Sequence, residues 1–331
     1  MSRVSRSIHR RSFLATAVAA AVTVPATARA ATTPAAVTRI SPAFSLPGDR
    51  AYPEGIGLDP RTGDAYVGSF ATGAVYRAGA GSDAAEVFLP AGTDGRTTAN
   101  GLKVDRAGRL WVTDSSAGVA VYDLRTRALL AHFDVPGDAP RFVNDLAIAP
   151  DGTAYLTDST RAVLYRVTPS DLARTAGAGA PLAVYCDLGA ALATDPPQTR
   201  IFNGIVATPR FLLVVDTARG DLVRVDLASG AVRQVALHGG NLAHGDGLDL
   251  VGQTLWVAHN TTNTVSRWRL APDGGSARLE RSVTDPALQI PTTLARSRGG
   301  LLVVRSQFDK GGPFGPGVPE TPFSVARVVG I

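Results

Sequence analysis

The chain has 331 residues, with 33 Lys plus Arg against 28 Asp plus Glu and a pI near 9.7. Residues 1–30 hold five arginines (Arg3, Arg6, Arg10, Arg11 and Arg29) and no acid, so without them the balance is 28 against 28. A neutral chain with aromatics at 6% has no electrostatic footprint for a phosphate backbone, which excludes nucleic acid and anionic membrane as main partners.

Arg10-Arg11-Ser12-Phe13-Leu14 reads as a twin-arginine export motif, with His9 where Ser or Thr usually stands. Phe13 to Ala28 is a short apolar run broken by Pro25, and Ala28-Arg29-Ala30 is a small-x-small cleavage site. The expectation is a signal peptide over 1–30 and an exported mature chain over 31–331. The run is too short and too rich in Ala and Thr for a membrane span. A single cysteine, Cys186, excludes an intramolecular disulfide, and its apolar setting reads as a small core residue.

Beyond residue 30 the chain repeats. Six segments carry a polar residue before a small or polar one, followed by an apolar run: Pro53-Glu54-Gly55, Ala99-Asn100-Gly101, Val143-Asn144-Asp145, Phe202-Asn203-Gly204, Gly245-Asp246-Gly247 and Pro291-Thr292-Thr293. Their central residues are spaced by 46, 44, 59, 43 and 46 positions. Each is followed by a Gly-containing turn and a second apolar run, such as Leu110-Trp111-Val112 or Leu255-Trp256-Val257, and then a third, such as Leu164-Tyr165-Arg166. Short strands closed by turn residues, apolar at consecutive positions, call for burial on both faces. Radially stacked antiparallel sheets supply it, so the expected fold is all-β: a six-bladed β-propeller in a single domain.

The long spacing places an insertion at about 168–202, with a helical turn near Ser170 to Ala176 and an irregular loop from Gly189 to Arg200 that could form a partial lid over the anchors. Val37 to Phe44 has strand character and is expected to complete the last blade, which closes the ring and removes a sheet edge.

In a propeller the innermost strands surround one axis, so the anchors Glu54, Asn100, Asn144, Asn203, Asp246 and Thr292 converge. Of the four Glu and six Asn in the chain, one Glu and three Asn fall in these slots. Two carboxylates and several carboxamides around an axis make an all-oxygen site for a hard cation, first Ca²⁺, with Mg²⁺ or Mn²⁺ as substitutes. Neither Cys nor paired His sits at an anchor, which disfavours zinc. A competing reading is that Asn-Gly and Asp-Gly merely turn the chain between blades. His244, two before Asp246, is a candidate proton shuttle or substrate donor, and Asn100 a candidate substrate contact. Asp114, Asp158 and Asp216, with His259 in the equivalent slot, are expected to satisfy turn amides. Trp111, Trp256 and Trp268 read as packing, and Gly311 to Pro316 as a loop without the features of a phosphate cradle.

Pro53-Glu54-Gly55, Val143-Asn144-Asp145 followed by Pro150-Asp151-Gly152, Asn203-Gly204, and Asp246-Gly247 leading to Leu255-Trp256-Val257-Ala258 resemble the senescence marker protein/gluconolactonase/luciferin-regenerating enzyme family over about residues 54–306, with paraoxonases as distant relatives. The resemblance implies one divalent cation held by Glu54, Asn144, Asn203 and Asp246, Asp246 as catalytic base, and hydrolysis of a lactone or related ester by a monomeric enzyme acting on a small molecule. Members often carry an Arg two residues before the first metal Asn. Here Arg141 is three before Asn144, so that role is not carried over and a sugar lactone is not implied. Two other classes stand beside this one: a non-catalytic propeller that binds a ligand or partner at its mouth, and carbon–carbon or carbon–nitrogen bond chemistry of the strictosidine synthase-like kind, which would go without a metal site.

Overall fold

The computed structural model describes residues 1–2, 37–175, 177–194, 196 and 198–331, so the expected signal peptide lies outside the described residues. Ala36–Ile331 form one compact unit of six sheets, in each of which at least three antiparallel strands run from inner to outer in chain order; Gly179–Pro181 and Ala236–His238 add parallel outer strands to blades 2 and 5. The inner strands are Pro53–Leu58, Leu102–Val104, Val143–Ile148, Phe202–Ala207, Gly245–Val251 and Pro291–Ser297. Each packs beside the next, and the last beside the first, which closes a ring and bears out the six-bladed propeller.

Blade 6 takes its outermost strand from the other end of the unit. Arg39–Ser45 pairs antiparallel with Ser324–Val329, so the expected closing strand is present and the ring is tied by backbone hydrogen bonds. Sequence distribution follows the same logic. Strands inside the blades are apolar at consecutive positions, Phe211–Asp216 being buried throughout, because each sheet is sandwiched between two others. Blade interfaces are filled by large side chains, among them Trp111, Trp268, Tyr122 and Tyr165.

The insertion divides in two. A helix at Pro169–Thr175 falls where the sequence places one, but Gly179–Pro181 runs parallel to the outer strand Leu129–Asp134 of blade 2, and Ala183–Asp187 is the fourth strand of blade 3. Most of the insertion therefore covers an outer sheet edge, which would otherwise present unpaired amides. Only the stretch from Leu188 to Ile201 leads to the next inner strand, starting with a short helix at Leu188–Ala191. Cys186 lies half-buried in that fourth strand, and burial, then the Asp187 charge, pushes its thiol up, as suits a packed residue.

The glycines after the anchors have a specific cause. Gly55, Gly101, Gly204 and Gly247 are absent from the left-handed region, so turn geometry does not require them. A Cβ on Gly55 would stand 1.9 Å from the Asn100 carbonyl oxygen, and one on Gly204 would stand 2.1 Å from that of Asp246. Neighbouring inner strands approach so closely at the anchor peptides that only a hydrogen fits between them. Gly204→Ala is therefore expected to cost at least about 3 kcal/mol or to prevent folding. Gly79→Ala, which meets nothing within 4 Å, is expected to be near neutral, and urea unfolding of the two variants measures the contrast.

Candidate metal centre

Five of the six anchors sit where an inner strand leaves register with its neighbour, while Asn100 stands two residues before its inner strand. The pairing shifts between Pro53 and Ile56, Val143 and Leu146, Phe202 and Ile205, Gly245 and Leu248, and Pro291 and Leu294. A bulge of this kind re-aims the side chains it releases, and the released residues include Glu54, Asn144, Asn203, Asp246 and Thr292.

A repeated side-chain clamp fixes the backbone just before the anchor in blades 2 to 6. At the end of the second strand, Asp114 Oδ2 accepts from Thr98 N (3.0 Å), Asp158 Oδ1 from Phe142 N (3.0 Å) and Asp216 Oδ1 from Ile201 N (3.1 Å). In blade 5 the His259 Nδ1–H donates to Ala243 O at 2.9 Å while its Nε2 accepts from Ser266 Oγ at 2.7 Å, and burial keeps the ring neutral by lowering its pKa. Blade 6 uses Ser306, whose hydroxyl donates to Ile290 O at 2.7 Å. These residues hold backbone, as the sequence reading expects.

In blades 2, 3 and 5 the residue that follows the clamp holds the anchor itself, and this the sequence reading missed. Asn100 Nδ2 donates to Ser115 Oγ at 2.7 Å and to Val143 O at 3.2 Å; Asn144 Nδ2 donates to Ser159 Oγ at 3.1 Å; Asn260 Nδ2 donates to Asp246 Oδ2 at 2.9 Å. The small polar residue after Asp114 and Asp158 is a visible signal, but its partner lies in three dimensions. With both amide nitrogens committed, Asn100 Oδ1 and Asn144 Oδ1 are left buried without a donor. Such an atom costs about 1–3 kcal/mol unless something positive meets it.

The electrostatics point the same way. Glu54, Asn100, Asn144, Asn203 and Asp246 are all buried. Burial, then the charges of Asp246 and Asp145, pushes Glu54 well above the usual carboxylate range, with Lys103 pulling weakly against them. Burial also raises Asp246 to about 7, although Asn260 and Asn203 both hydrogen-bond its ionised form. Asp145, unassigned by the sequence reading, is a third buried carboxyl raised by desolvation, and Lys103 Nζ lies 3.9 Å from its Oδ1. Lys103 lines a cavity of about 290 Å³ at the far ends of the inner strands, together with Asp249 and Arg296. The axis thus carries three crowded carboxyl groups and one ammonium.

Among the described residues no three His, Cys, Asp or Glu side chains form a metal-binding cluster. The converging set instead mixes two carboxylates with carboxamides, a donor set suited to a hard cation of the Ca²⁺ type. The orphaned amide oxygens and the unneutralised acids fit such an ion. His244 is exposed, and its backbone is tied to Thr217 O and Asn260 N.

The chain matches no family model and no curated protein. Solved structures with the same architecture include a gluconolactonase from Xanthomonas campestris, at 18% identity over 88% of this chain and 89% of that one with TM-score 0.59. They also include the allergen Mala s 1 of Malassezia sympodialis, at 16% identity over 86% and 95% with TM-score 0.57, and virginiamycin B lyase from Staphylococcus aureus, at 10% over 88% and 99% with TM-score 0.57. These likenesses show the fold. A hydrolase, a lyase and an allergen share it, so the architecture alone does not decide the reaction.

A raised carboxyl pKa has a defined consequence for stability. From the unfolded value near 3.8 up to about 7, the folded chain keeps a proton on Asp246 that the unfolded chain has lost, so stability falls as pH rises through that window and levels off above it. With divalent ions removed by chelator, Tm is expected to fall by on the order of 5–10 °C between pH 5 and pH 8. Asp246→Asn should flatten the profile, and thermal melts of both proteins across that range test it.

Proposed function

We propose that the anchor ring is a divalent-cation site, Ca²⁺ first, and that the protein is an exported hydrolase acting on a lactone or related ester. The observation that carries this reading is the pair of buried, donorless oxygens on Asn100 and Asn144 beside the raised carboxyls of Glu54 and Asp246. A propeller that only bound a neutral ligand would gain nothing from buried like charge, which costs stability unless a cation offsets it.

Glu54, Asn144, Asn203 and Asp246 would hold the ion, and Asn100, alike in burial and orphaned oxygen, joins them. A divalent cation bound there supplies Lewis-acid polarisation of an ester carbonyl. The protein's own part follows from its contacts. Asn260 fixes Asp246 Oδ2, so the carboxylate is oriented, and Asp246 takes the proton of the attacking water. Water adds to the acyl carbon, the ring C–O bond breaks, and the alkoxide leaving group gains a proton to give a hydroxy acid. We assign that last transfer to His244, which is exposed two residues before Asp246. Ser115 and Ser159 keep the amide oxygens turned inward.

Glu54→Gln and Asp246→Asn are expected to lower kcat for lactone hydrolysis by at least about 100-fold, and chelator to abolish it. Unchanged hydrolysis in Asp246→Asn refutes the mechanism. Ser159→Ala, which frees Asn144 to rotate, is expected to weaken cation affinity by about 10- to 100-fold, read by calorimetric titration of the chelator-treated protein with Ca²⁺.

A further inference from the structure

The mouth above the anchors is unequal on its two sides. Four phenylalanines form a chain of ring contacts on one of them: Phe314 to Phe308 at 5.4 Å, Phe308 to Phe70 at 5.3 Å and Phe70 to Phe142 at 6.4 Å. Phe70 begins the loop after the second strand of blade 1, and Phe142 immediately precedes the inner strand of blade 3. These blades are not neighbours, so the two rings meet across blade 2. The backbone places the crossing: Ala99 N donates to Ser69 O, and Asn100 Nδ2 donates to Val143 O, so Phe70 and Phe142 each stand one residue from a group bonded to the Ala99–Asn100 segment. The aromatic arc is therefore tied to the backbone on either side of the Ala99–Asn100 segment.

The arc is rigid and partly open. Phe308 is buried in the cluster shared by blades 1 and 6, where Phe70 packs against it. Phe70 and Phe142 are half-buried, and Phe314 is 49% exposed. Apolar rings held by packing yet facing a mouth remain free to cover an apolar surface. Arginines near the mouth are meanwhile engaged. Arg141 donates to Val135 O and Gly137 O, Arg161 to the carbonyls of Pro136, Ala139 and Pro140, and Arg200 to Asp216. A polyhydroxylated ring or a sugar acid placed against phenyl faces would lose its hydrogen bonds to water and find few replacements.

We propose that the substrate is a lactone or ester bearing an alkyl or aryl group, which Phe70 and Phe142 seat beside Asn100 while the acyl group faces Glu54 and Asp246. The reacting group rests on the hydrolase reading above; the apolar seat stands on the arc itself. Two series separate them. One is a set of δ-lactones with side chains from methyl to heptyl, with gluconolactone as the polar member, assayed for kcat/KM. The other is the matching 2-alkylcyclopentanones, which cannot be hydrolysed, titrated calorimetrically.

Ketone affinity is expected to rise about threefold per methylene over the first several carbons. The gain should flatten in Phe142→Ala and Phe70→Ala and return in Phe142→Leu, which also serves if an alanine variant fails to fold. The lactones should show the same dependence in kcat/KM, with gluconolactone poorest. Lactone hydrolysis with no dependence on chain length, or with gluconolactone preferred, overturns the apolar seat and leaves the hydrolase reading standing. Length-dependent ketone binding without hydrolysis of any lactone supports the seat and refutes the hydrolase. Flat binding in the wild type overturns the seat whatever the assay shows.

Discussion

Six inner strands must meet around one axis, and at the anchor peptides they meet with no room for a side chain between them. Gly55 faces the Asn100 carbonyl and Gly204 that of Asp246, while Gly247 faces Thr292 and Thr293. The crowding is stitched by hydrogen bonds from one blade to the next: Thr113 Oγ1 to Asn144 O at 2.6 Å, Ser159 Oγ to Phe202 O at 2.6 Å and Thr292 Oγ1 to Glu54 O at 2.7 Å. Because the bonds to Asn144 and Glu54 use only their backbone carbonyls, those two side chains are left to point elsewhere. The bulge at each site supplies the direction. Ring closure and site assembly are thus one constraint, and a fault in the first would displace the second.

The chemistry placed on that ring opposes the fold that carries it. Glu54, Asp145 and Asp246 share a buried axis on which Lys103 acts against the charges of Glu54 and Asp145, so each added negative charge is costly. Desolvation acts first on all three, and like charge adds to it for Glu54 and Asp246. The shell of Asn260, Ser115 and Ser159 orients groups without neutralising them. Sites that break a local rule of burial in this manner are commonly functional, since stability alone would have favoured apolar residues there.

The repeat made the architecture legible because a propeller writes the same short pattern in every blade. The anchors could be read for the same reason: Glu54, Asn100, Asn144, Asn203 and Asp246 occupy one slot, and one slot means one place in space. What the pattern hides is the partner. Ser159 looks like a turn residue until its hydroxyl is found on Asn144, and Lys103 looks like an ordinary strand lysine until its position in the channel is known. The sequence offered a turn for the Asn-Gly and Asp-Gly glycines, and the backbone angles with the neighbouring carbonyls give close approach instead. The insertion shows the same limit: its length marks extra material, but that Gly179–Pro181 covers the outer edge of blade 2 depends on which sheet has an edge to cover.

On the proposed reading, a substrate at this mouth would meet two surfaces with different physics. Below it, a cation held by the axial oxygens would act on charge, so that it would polarise any ester carbonyl and discriminate poorly among its substituents. Above it, ring contacts act by area and shape, so they discriminate substituents and are indifferent to the reacting bond. Phe142 joins the two, since it precedes the strand that carries Asn144 and its amide is held by Asp158. The clamp that sets the position of an oxygen on the axis therefore also sets the position of a wall above it. Substituent recognition and carbonyl recognition are fixed by the same hydrogen bond, which keeps a molecule seated on the arc in register with the ring beneath.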